Sequence, residues 1–198
     1  MKPEKRQKIM QAAEALFSRA RFHEITMEDV ARKAGVGKGT LYRYFKDKDD
    51  LFLEVALSGF DEMCAMVRSE RERSHDFTAC LQGVCSRIAD FYRSRRQLMH
   101  MMQSEERHAL WCKGRVRDRW IAKRQQLFEA VEAILEEGRR DGELRGDMDL
   151  NVLATTLLGL LRARGQTRRR HGTPIAHETV VELFLHGAAV GPQDGRCA

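Results

Sequence analysis

The 198-residue chain is predicted to be all-α, on three observations. Apolar residues recur at the three-to-four spacing of a helix face in five separate stretches. No run of four or more alternating apolar and polar residues is flanked by turn chemistry, so no strand is expected. Prolines occur only at Pro3, Pro174 and Pro192, which leaves the long stretch between the first two free of that helix breaker. The expected architecture is an N-terminal three-helix head over residues 1–50 with a helix-turn-helix at 26–45. A helical bundle over 51–190 follows, then a tail, 191–198, expected to fray.

Each element has its own signal. Ile9, Ala13, Leu16, Phe17 and Ala20 line one face of a first helix. Thr26 followed by Asp29 is a capping-type start, because a Thr side chain can accept from the N3 amide. Ala34-Gly35-Val36-Gly37 interrupts that second helix after two turns, and Gly35 suits the left-handed residue that ends it. A short third helix runs toward Phe45. Leu51, Phe52, Val55, Phe60, Met63 and Val67 stripe a longer fourth one. Leu127, Val131, Ile134 and Leu135 stripe another, and Asp141 to Asp147 is a turn between long helices. Val152, Leu153, Leu157, Leu160 and Leu161 mark the penultimate helix. A break from Arg168 to Pro174 separates it from the last, marked by Val180, Leu183, Phe184 and Gly187.

The segment Thr26 to Phe45 carries the chemistry. Val30, Ala31 and Ala34 give its first helix a small apolar face that a second helix can cross closely, with Val36 in the corner. At about 100° per residue, Leu41 and Phe45 share one side of the second helix and anchor it. Arg43 falls roughly opposite, between Gly39 and Thr40, with Tyr42 and Tyr44 flanking the strip. An Arg in that position can form a bidentate contact to guanine in the major groove. Lys38, the Tyr hydroxyls and a Thr hydroxyl suit phosphates, and Gly39 leaves room for close backbone approach. Lys48 opens the next helix with a further cation. The expected contacts to double-stranded DNA are Thr26, Lys38, Gly39, Thr40, Tyr42, Arg43, Tyr44 and Lys48.

Charge agrees with a polyanionic partner. The net charge is +6, and residues 1–50 hold 12 Lys and Arg against 8 Asp and Glu, so the first quarter carries +4 of it. No apolar run approaches the roughly 20 residues that span a bilayer, and the start has no apolar h-region, so no membrane partner and a cytoplasmic location are expected. The five cysteines, Cys64, Cys80, Cys85, Cys112 and Cys197, are odd in number and unpaired in spacing, which suits small hydrophobes or surface thiols. Gly35 to Thr40 superficially suggests a phosphate loop but fails its spacing, because Gly rather than Ser or Thr follows Lys38. No nucleophile–base–orienter set is legible, so no enzyme activity and no cofactor are expected. Glu105, His108 and Cys112 share a helix face and form the rival candidate, a metal site or activated thiol, though they lack a fourth ligand.

From Lys8 to Phe52 the chain resembles the DNA-binding head of the TetR (tetracycline repressor) family of transcriptional regulators. The matching pieces are Ile9 to Ala13, Leu16-Phe17, Thr26 to Ala31, Ala34 to Val36, Lys38 to Phe45 and Lys48 to Leu51. Arg139 to Asp149 is similar to the family's turn before the penultimate helix. Arg21 stands where the family usually has Gly, which predicts a strained or differently closed turn. Gly37 stands where Ser usually caps the recognition helix, a small change for an N-cap. The resemblance implies a repressor that dimerises through its last two helices. It also implies a small-molecule effector that tilts the long helix from about Lys48, spreads the two heads and releases a palindromic operator.

Two body sites follow from that picture. Phe60, Met63, Met66, Met99, Met101, Met102 and Trp111 make a Met-rich middle that is either ordinary core or an adaptable pocket. Phe60, Met63, Met101, Met102 and Trp111 are the effector-pocket candidates. The two wide stripes at the chain end have no further helix to cover them, so a second copy is expected to bury them. Leu153, Leu157, Leu160, Val180, Leu183 and Phe184 are the expected dimer interface.

Overall fold

The computed structural model describes residues 3–96, 98, 114–171 and 175–188. Among these the chain forms eight α-helices: α1 Pro3–Phe17, α2 Met27–Ala34, α3 Lys38–Tyr44, α4 Lys48–Arg73, α5 Phe77–Ser94, α6 Gly114–Arg140, α7 Leu150–His171 and α8 His177–Ala188. A 3-10 turn, Phe22–Glu24, lies between α1 and α2. No described helix is long and apolar enough to cross a membrane. By its contacts the chain divides into two compact units, one drawn from residues 1–62 and 94–123, the other from 63–93 and 124–198.

The first unit holds the three-helix head. Its core is made of Ile9, Ala13 and Phe17 of α1, Val30 and Ala31 of α2, Leu41 of α3, Phe45, and Leu51 and Phe52 of α4, all buried. Phe52 stands edge-on to both Phe17 and Phe22, at ring-centroid distances of 5.0 and 5.4 Å, so three aromatics knit α1, the 3-10 turn and α4 together. Ion pairs reinforce this unit. Glu54 bridges Arg6 and Arg119 at 2.6 Å each, and Arg95 bridges Glu14 and, at 2.7 Å, Glu62. Arg21 needs no strain: its φ is −73°, an extended conformation, and its amide donates to the Glu24 carboxylate at 2.9 Å. The turn closes with a 3-10 segment in place of a left-handed residue.

The second unit buries the apolar faces of α5 to α8. Helix α5, which no predicted stripe marked, contributes Phe77, Cys80, Leu81, Val84, Cys85 and Ile88. Gly138 of α6 admits the Phe77 ring, which a Cβ there would meet at 2.5 Å. Gly142, at φ 76°, turns the chain after α6, and the Arg145 amide then donates to the Ala188 carbonyl at 2.9 Å, fixing the end of α8. Cys64, Cys80 and Cys85 are buried, the small-hydrophobe role expected of them. Burial pushes the Cys85 thiol up to about 12. Cys112 and Cys197 lie outside the described residues.

The terminal stripes fall differently from expectation. Leu153, Leu157, Val180 and Phe184 are buried within this unit, where α7 packs on α8 and the core, and Leu160 is half-buried. Leu153, Leu157, Val180 and Phe184 are thus covered within one chain, while Leu183 of the expected set is not. The exposed large apolar residues among those described on the two helices are Val152, half-exposed, and Leu183, 58% exposed; Thr155, Thr156 and Gly159 of α7 are also open.

Candidate nucleic-acid interface

Local sequence fixes the geometry of the helix-turn-helix. The Thr26 hydroxyl accepts from the Asp29 amide at 3.1 Å, and the Asp29 carboxylate accepts from the Thr26 amide at 3.0 Å and its hydroxyl at 2.6 Å. That reciprocal box starts α2, and these hydrogen bonds hold the Asp29 carboxyl below the usual range. Gly35 closes α2 in the left-handed region at φ 65°, its amide donating toward Ala31 and Arg32. The Val36 amide returns to the Ala31 carbonyl at 3.0 Å and sets the corner. Gly37, extended at φ −69°, begins α3 without a side-chain cap.

On α3, Leu41 and the following Phe45 face the core, 0% and 1% exposed. The opposite face is open: Lys38, Gly39, Tyr42 and Arg43 are exposed, and Thr40 and Tyr44 are half-buried. No atom lies within 4 Å of a Cβ built at Gly39, so backbone approach from outside is unhindered there. The Arg43 guanidinium sits 5.8 Å from the Tyr44 ring centroid, and the Lys38 ammonium 6.0 Å from that of Tyr42. This is an aromatic-flanked cationic strip on a short helix, presented by a packed head, and an α-helix is an element that the major groove admits.

Three of the expected contacts carry other duties. Thr26 is engaged in the α2 cap. The Lys48 ammonium donates to the Phe22 and Ile25 carbonyls at 2.8 Å each and lies 4.2 Å from the Phe22 ring centroid. It ties the first turn of α4 to the 3-10 turn and is directed into the protein, away from the role of a phosphate contact. Lys38 is ion-paired with Glu28 of α2. The Glu28 hydrogen bond raises the Lys38 pKa, and the Lys38 hydrogen bond lowers that of Glu28. Lys33 and Lys46, not singled out from sequence, are exposed basic residues at the end of α2 and just after α3.

The other candidate sites are less complete. Phe60 is buried against Trp120, edge-on at 4.8 Å, and Met63 is buried, while Met101, Met102 and Trp111 lie outside the described residues. Glu105, His108 and Cys112 also lie outside them.

The fold and this face define a helix-turn-helix DNA-binding regulator. Residues 9–55 match the family model described as bacterial regulatory proteins, tetR family, and residues 112–184 match the tetracyclin repressor-like C-terminal domain. Between them the two models cover more than half of the chain, and the chain belongs to the TetR family of transcriptional regulators. It is 24% identical over 185 residues to the HTH-type transcriptional regulator YhgD of Bacillus subtilis, covering 93% of this chain and 94% of that protein. It is likewise 24% identical over 161 residues to the regulator YfiR of the same organism, covering 80% and 77%. Among solved structures, the fatty acid degradation regulator FadR from Bacillus halodurans superposes with a TM-score of 0.77 at 19% identity, over 94% of this chain and 97% of that one. FadR from Bacillus subtilis in complex with stearoyl-CoA superposes with a TM-score of 0.75 at 20% identity, over 91% and 98%. These structural likenesses show the fold.

Proposed function

We propose that the protein is a repressor that holds a palindromic operator as a homodimer and leaves it when a small molecule occupies its body. The observation that carries the reading is the outer face of α3, where Arg43 and Tyr42 stand exposed opposite the buried Leu41 and Phe45. In this reading Arg43 reads a guanine in each half-site, and Lys38, Thr40, Tyr42 and Tyr44 set the register on phosphates. The protein acts in the cytoplasm and catalyses nothing.

A second copy would cover Val152 and Leu183 together with the open Thr155, Thr156 and Gly159, a two-fold pairing of α7 and α8. The effector must bind the DNA-incompetent state more tightly than the DNA-bound one, and the ratio of those affinities sets how far the operator is vacated. The likeness to a FadR in complex with stearoyl-CoA makes a long-chain acyl-CoA the first effector to try.

Selection of bound duplexes from a random library, followed by sedimentation of the complex, tests the reading. The expected result is an inverted repeat with half-site centres about 34–36 Å apart, or a multiple of that, holding two chains. An asymmetric site saturated by one chain would contradict it. Stearoyl-CoA titrated onto the complex should release it. Failure to do so removes this effector class and leaves the operator reading standing.

A further inference from the structure

We infer that Glu28 is an intramolecular counter-anion for Lys38, one that any DNA phosphate must displace before the recognition helix can use that lysine. Glu28 lies in the first turn of α2 and Lys38 is the first residue of α3, so the helix-turn-helix corner brings the two to one edge of the open face. Their side chains are ion-paired and exposed, 53% for Glu28 and 61% for Lys38. The neighbouring carboxylate is otherwise engaged: Asp29 is held by Thr26 and paired with Arg32. Lys38 also lies against Tyr42, one turn along the same face. The cation at the entrance of the recognition helix is therefore already neutralised.

Binding then exchanges one anion for another. The phosphate takes the ammonium, and the released Glu28 carboxylate is left beside the DNA backbone, where it holds a cation that would otherwise be set free. The contact yields less affinity than a lone lysine would and a shallower dependence on salt. Because phosphates carry no sequence information, the penalty falls on all duplexes alike. Glu28 thus lowers affinity for cognate and non-cognate DNA alike without altering base preference.

The inference rests on α3 being the DNA-facing helix, and the test separates the two. Binding of the full chain to a random-sequence duplex and to a selected operator is measured across a salt series for wild type, Glu28→Gln, Lys38→Met, the double variant and Arg43→Ala. Glu28→Gln should tighten both duplexes by about two- to fivefold, the range of an exposed ion pair, and steepen the salt slope by up to about one unit. In the Lys38→Met background the same change should have little effect, because Glu28 acts through that lysine. Circular dichroism melts confirm that each variant is folded. Unchanged or weaker binding by Glu28→Gln would overturn the inference, as would an equal gain in the Lys38→Met background, which would mean simple charge repulsion. If Arg43→Ala also leaves both affinity and preference intact, it is the assignment of α3 that fails.

Discussion

Lys48→Met separates two roles that a basic residue at the start of α4 can play. In the structure the ammonium donates two 2.8 Å hydrogen bonds, to the Phe22 and Ile25 carbonyls, and covers the Phe22 ring. Methionine keeps most of the side chain's length and apolar stem but supplies no donor. The Phe22 carbonyl still accepts from the Ile25 amide at 3.3 Å, whereas the Ile25 carbonyl loses the lysine as a partner. A hydrogen bond from a charged donor contributes about 1.5–3 kcal/mol, and a partly exposed cation–π contact about 0.5–1 kcal/mol. Partial exposure discounts both, so the expected loss is about 2–3 kcal/mol. For a chain of this size that is a fall in Tm of about 4–12 °C. The assay pairs a thermal melt with the salt dependence of DNA binding. The melt should shift, and the salt slope should stay at its wild-type value because no phosphate contact is lost. An unchanged melt with a slope flatter by about one unit would refute the structural role and return Lys48 to the phosphates.

Other outcomes follow from burial. Leu183→Asp combined with Val152→Asp should yield a folded monomer in sedimentation, because both residues are exposed on α7 and α8. Phe184→Asp should instead unfold the body, because it places a charge where the side chain is 3% exposed; a folded variant would show that assignment to be wrong. The Cys85 thiol is raised above its ordinary 9.0 to about 12, so the folded state holds its proton more firmly. That contribution is present below about pH 9 and is lost as pH rises toward 12, at up to about 1.4 kcal/mol per pH unit. Denaturant melts of wild type and Cys85→Ala should therefore converge as pH rises from 8 to 11; parallel curves would contradict the buried-thiol account.

The parts of the site legible from sequence are those that local chemistry sets. Thr26 with Asp29, the left-handed Gly35, and Leu41 with Phe45 each act within a turn or two of chain, so spacing alone placed α2, α3 and the outward Arg43. What could not be read depends on folding across distance. Lys48 meets carbonyls 26 and 23 residues away, and whether a lysine points inward or outward leaves no mark on periodicity. The pairing of Glu28 with Lys38 needs the helix-turn-helix angle. The α7 and α8 stripes were visible as stripes, but a wide apolar face has a buried middle and exposed edges. Period alone does not separate Leu157 from Val152, or Phe184 from Leu183. Arg21 in place of glycine predicts a strained or a differently closed turn, and the second holds: the Phe22–Glu24 turn closes the chain with no non-glycine residue at positive φ among those described.

If α3 reads DNA through Arg43, that side chain must set base preference in each half-site. Parallel selection of random duplexes by wild type and Arg43→Ala measures this. The variant should keep the same inverted repeat but lose preference for guanine at one position in each half-site, at a cost of about 1–3 kcal/mol. Identical selected sequences for the two proteins would contradict it.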